Sequence, residues 1–210
     1  MTTMSRAYLQ AAQAAVELLR DPAVAAVWDR PSALPEFSVR GLAGHLGSQV
    51  LGVSRVLAKE PVTERPFSLT EFYAAAEAFH TGTDSDVNVR IRDMGEEFAA
   101  RGAEALAAEV ASAVEGQRTA LPAEASDRVV SFGGRPVRLA DFLLTRMMEI
   151  AVHSDDLAHS AGIETPEVPE EVLEPVLALL AKLAVVRHGQ TAVLRALSRA
   201  ERAPSTIAAV

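Results

Sequence analysis

The chain has 210 residues, no cysteine, a formal net charge of -8, and a hydrophobic fraction of 49% of which little is aromatic. Without cysteine there are no disulfides, thiolate zinc sites or cysteine nucleophile, and any thiol chemistry must use a thiol borrowed from a small molecule. The interspersed charges leave no basic stripe for nucleic acid, and a core drawn from Ala, Leu and Val favours close-packed helices in one domain.

Residues 5–19 carry apolar side chains at helical spacing and stop before Asp21 and Pro22. After a loop with two prolines, Ser38 is placed to cap a helix over 39–59, whose core stripe is Val39, Leu42, Leu46, Val50, Val53 and Leu57. Pro61 and Pro66 precede a short helix over 70–79, a polar break at 80–86, and one long amphipathic helix over 89–117. Alternation around Gly133-Gly134 within 128–138 predicts a small hairpin. Helical pattern returns over 139–160, ended by Gly162, and again over 169–186, with a terminal helix at 191–201. The expectation is an all-α antiparallel bundle with a hairpin at its edge. No stretch has the apolar length of a membrane span or the pattern of a signal peptide, so the expected location is cytoplasmic, with no membrane partner.

Chemistry concentrates in the helix over 139–160. Glu149 and His153 are four residues apart, hence about 40 degrees apart on the helix and one turn in height, close enough to hold one ion together. Arg146 and Asp156 lie three residues outside them on the same stripe, placed to pair with Glu149 or to orient the His153 imidazole. A solvated polar face has the same spacing, and Asp141, Asp155 and His159 fall on it too. His45 sits at the border of the core stripe of its helix, among the small residues Gly41, Ser48 and Gly52, where a hydrogen-bonded structural role is the plainer reading. His80 and His188 read as helix-end residues and His159 as solvent-exposed.

The stretch 28–52, with LP at 34–35, FSVR at 37–40 and LAGHL at 42–46, resembles the mycothiol-dependent maleylpyruvate isomerase family. RMMEIAVHSDDL at 146–157 is similar to that family's second motif, and RALSRAER at 195–202 to its C-terminal ending. The resemblance implies a DinB-like four-helix bundle, up-down-down-up, spanning residues 1–187 with a helical tail over 188–210. It further implies a divalent metal on His45, Glu149 and His153, with mycothiol or a similar small thiol as cofactor or co-substrate.

Two imidazoles and one carboxylate suit zinc and leave a coordination position open. Such a site would serve isomerisation or S-transfer on a small electrophile, with Arg146 and Asp156 tuning the ligands. Two alternatives stand beside it: a hydrolase that activates water at the same position, and a non-catalytic ligand-binding bundle. Helix faces of such bundles can pair, so a homodimer is expected, although composition locates no interface.

Overall fold

In the computed structural model, which describes residues 1–76 and 85–209, the chain is a bundle of four long helices with shorter elements laid across it. The four are α1 (Thr3–Leu19), α3 (Val39–Leu57), α6 (Ala103–Ala120) and α7 (Leu139–Ala161). Between them lie α2 (Pro22–Ala26), α4 (Leu69–Ala74) and α5 (Asp86–Ala99), and α8 (Glu170–His188) and α9 (Gln190–Ser198) follow. The long connection over 58–102 allows α3 and α6 to take the middle places of the up-down-down-up order. No helix is long and apolar enough to cross a membrane among the described residues.

Local chemistry accounts for most boundaries. Ser38 caps α3 by accepting from the Gly41 N–H, and Ser68 and Glu71 form a reciprocal capping box at α4. α7 ends at Gly162 in the left-handed region, φ 71°, where glycine carries no side-chain penalty. Strands β1 (Val129–Phe132) and β2 (Arg135–Arg138) pair antiparallel around Gly133-Gly134, the expected hairpin. Asp21, a stop signal in the sequence, also starts α2, accepting from the Ala23 N–H ahead of Pro22.

One expectation is corrected. The single helix over 89–117 is two helices, α5 and α6, broken at Gly102. Gly102 takes φ 94°, a conformation that ends one helix and redirects the chain into the next. The helix expected over 70–79 runs Leu69–Ala74 and ends on Ala75 as its C-cap; residues 77–79, His80 and the first part of the polar break lie outside the described residues.

The core is continuous. Tyr8, Ala11 and Ala15 of α1 meet Leu42, Leu46 and Val50 of α3, Leu106 and Val110 of α6, and Met147, Ile150 and Leu157 of α7. Gln117 ties three helices together inside it: its Oε1 accepts from the Tyr8 hydroxyl, and its Nε2 donates to the Val50 carbonyl and to Ser54, each at 2.8 Å. The amide is thus satisfied by partners, as a buried polar group must be.

Along its other side α3 is in backbone contact with α5. A Cβ on Gly44 would stand 1.9 Å from the Gly95 carbonyl oxygen, and one on Gly95 would stand 2.3 Å from the Gly41 carbonyl oxygen. Only glycine permits that approach, and α3 is held there one residue before His45. Gly44→Ala is therefore expected to force α3 and α5 apart and lower stability by about 1–3 kcal/mol. Gly52→Ala, on the same helix but with nothing within 4 Å of the added methyl, is expected to raise it by about 0.5–1 kcal/mol. Chemical denaturation of the two variants beside the wild type checks both signs.

Candidate metal centre

α3 and α7 bring together the three residues singled out on them. Oε2 of Glu149 lies 3.5 Å from Nε2 of His45 and 3.3 Å from Nε2 of His153. One ligand atom from each of the three falls within 4.8 Å of the others. The two imidazoles meet edge to face, ring centres 4.7 Å apart, and Phe37 closes on His45 from the other side at 5.9 Å. All three side chains are partly buried, His45 least exposed at 13% and Glu149 most at 24%.

Their hydrogen-bond partners fix which way each ring faces. Arg146 can only donate, so the Gln49 atom it touches is the amide oxygen, and the Gln49 NH2 must point the other way. That NH2 donates to the His45 carbonyl at 3.0 Å and lies 3.2 Å from His45 Nε2. The NH2 also lies 3.4 Å from Ser48 Oγ; facing a donor, Nε2 of His45 is best served as a lone pair, with the ring proton on Nδ1. On His153, Nδ1 faces Asp156 Oδ2 at 3.0 Å and so carries its proton there, leaving Nε2 for the cluster.

Three lone-pair donors thus converge: two imidazole nitrogens and a carboxylate oxygen. Such atoms repel unless a proton or a cation stands among them. In the protein without an ion the proton is on His153. Burial, the largest influence, opposes it, but the hydrogen bonds to Asp156 and Glu149 and their charges outweigh burial and push the His153 pKa up to about 9. Burial lowers the His45 pKa, which keeps that ring neutral. For Glu149 burial acts upward, yet the bond from His153 and the charges of His153 and Arg146 hold its carboxyl well below the usual range. The donor set therefore suits a divalent ion, with the proton on His153 Nε2 as the one to be displaced.

Arg146 does not pair with Glu149. Its guanidinium lies 4.5 Å from the centre of the Phe132 ring and 5.4 Å from that of Phe142, its Nε donates to Thr145, and an Nη reaches Gln49. Asp156 lies against His153. Of the other histidines in the described part, His159 is exposed at the surface and His188 ends α8, against the Ala208 carbonyl at 2.8 Å. Sequence reasoning missed Gln49, whose position one turn after His45 was the available signal, and Phe132, which reaches the site from the hairpin and left none.

The family model described as the mycothiol maleylpyruvate isomerase N-terminal domain matches residues 8–158, which run from α1 to the last turn of α7 and include both histidines and Glu149. The chain belongs to this family. No curated protein and no solved structure matches it. The family is named for mycothiol, a small thiol, and this chain has a His/Glu/His donor group and no thiol of its own.

The Arg146 lock has a direct test. In Arg146→Met the buried Gln49 oxygen loses its donor, which should cost about 1–3 kcal/mol. The imidazole nitrogen signals of His45, followed by NMR, should change from one tautomer to a mixture. A variant as stable as wild type with a single His45 tautomer would show that the amide is held by something else.

Proposed function

We propose that His45, Glu149 and His153 hold one divalent ion, most suitably zinc, and that the protein is an enzyme using mycothiol or a similar small thiol on a small electrophile, by isomerisation or S-transfer. The carrying observation is the convergence of three lone-pair donors on one point, with the His153 ring turned there by Asp156. When bound, the ion would supply Lewis acidity and an open coordination position at which a thiol loses its proton near neutral pH.

The chain's residues divide the remaining work. Asp156 holds the His153 ring through Nδ1 and strengthens Nε2 as a donor. Gln49 holds His45 from one side, and Phe37 packs against it from another. Phe132 and Phe142 carry the guanidinium of Arg146 and exclude water from its flank.

Charge supports an anionic guest. With both imidazoles neutral, Glu149 and Asp156 contribute two negative charges and Arg146 one positive, leaving the site one charge short of balancing a divalent ion. A thiolate or a metal-bound hydroxide would each supply that charge. The thiol reading is favoured instead by the family, which is named for mycothiol.

Elemental analysis of purified protein is expected to give about one divalent ion per chain, lost from folded His45→Ala, Glu149→Ala and His153→Ala. Asp156→Asn should keep the ion but weaken its affinity about 10–100-fold. Loaded wild type should turn over a small electrophile only when the thiol is present. Turnover without thiol would favour the water-activating alternative, and wild type that takes up no ion on reconstitution would sink the metal assignment.

A further inference from the structure

The last two helices carry a surface that the bundle does not use. Every exposed leucine among the described residues is on them: Leu173 and Leu177 of α8, Leu194 and Leu197 of α9, the last three 54%, 65% and 72% exposed. Single exposed leucines need no explanation, but four on two consecutive helices are apolar surface of the kind proteins cover.

The charges on that region are sorted by sign. On α8, Glu170, Leu173, Glu174 and Leu177 follow the i, i+3, i+4, i+7 spacing and share one exposed face, an acidic stripe with two leucines in it. On α9 and the turn after it, Thr191, Leu194, Arg195, Ser198, Arg199 and Arg202 line an open groove of about 410 Å³ with no carboxylate in its wall. Arg195 has no ion pair or hydrogen bond within the described residues, Arg199 donates only to the neighbouring Ser198 carbonyl, and Arg202 meets only the adjacent Glu201. Neither Glu170 nor Glu174 has an ion pair there either. In a chain of net charge -8, a groove with three arginines, of which only Arg202 meets a carboxylate, is a local reversal of sign.

We propose that this surface is the interface of a homodimer, in which the acidic leucine stripe of α8 from each copy lies in the arginine groove of α9 of the other. The occupant must be acidic and apolar together, since an inorganic anion would answer the arginines and leave Leu194 and Leu197 in water. The α8 stripe has that chemistry, is exposed on every copy, and lies on the helix that precedes α9. A two-fold arrangement satisfies both contacts at once, because a two-fold interface uses the same surface of both partners.

The test is sedimentation velocity at moderate salt on the full chain. Wild type should sediment as a dimer, and the surface pairs Arg195→Glu/Arg199→Glu and Glu170→Lys/Glu174→Lys should each be monomeric with unchanged circular dichroism and melting. Mixing the two variants should restore a dimer, because every groove then faces a stripe of opposite charge. Unchanged dimers in either variant, or a mixture that stays monomeric, would overturn the proposal. So would monomeric wild type; if calorimetry then found inorganic phosphate bound and lost in Arg195→Glu/Arg199→Glu, the groove would be an anion site instead.

Discussion

The rotation and height of α3 are the constraint on which the rest depends. A helix that contributes one metal-type donor must be fixed to within a fraction of a turn, because 100 degrees of rotation per residue would carry His45 from the cluster into the core. Two unlike contacts fix it. On one side the backbone of α3 at Gly41 and Gly44 meets that of α5 at Gly95, and neither Gly44 nor Gly95 leaves room for a Cβ. On the other, Leu42, Leu46 and Val50 are fully buried in the bundle core. Between these two faces His45 is turned toward α7, where Glu149 and His153 stand one helical turn apart.

What could be read in advance follows from how local each determinant is. The cap at Ser38, the hairpin at Gly133-Gly134 and the end of α7 at Gly162 are set by a few neighbouring residues, and they were legible. The break at Gly102 was not, because glycine has several uses in this chain. Gly95 and Gly44 allow close backbone approach inside helices, Gly116 lies in α6 with open space around it, and Gly102 turns the chain through positive φ. One residue type serves all of these, so identity alone cannot separate a continuing helix from a broken one. The same holds at Asp21, where one side chain marks the end of one helix and caps the next.

At the site, the pairing of Glu149 with His153 was legible from periodicity, since both are on one helix. The approach of His45 depends on how α3 packs against α7, about a hundred residues away in sequence, and entered the reading through resemblance to a family. Gln49 and Phe132 had no such guide. Their importance comes from Arg146, which the sequence placed beside Glu149 on a shared stripe but which the fold directs to an amide and two rings.

That direction matters for the chemistry of the donors. An arginine paired with Glu149 would occupy the carboxylate lone pairs that a metal ion needs, and the cluster would become a salt bridge. Turned onto Phe132 and Phe142, the guanidinium keeps its charge near Glu149, where it helps hold the carboxyl ionised, without taking its oxygens. Its hydrogen bond goes to the Gln49 oxygen instead, and the other end of that amide faces His45. Because arginine does not lose its proton in proteins, this fixed donor holds the amide in one orientation across the whole working pH range. The amide in turn favours a lone pair over a proton at His45 Nε2. A carboxylate at position 49 would face His45 with acceptors only and would draw a proton onto the ring. The neutral amide, oriented by a permanent cation, favours the tautomer that can bind a metal, and an ion would take over the lone pair that the amide faces.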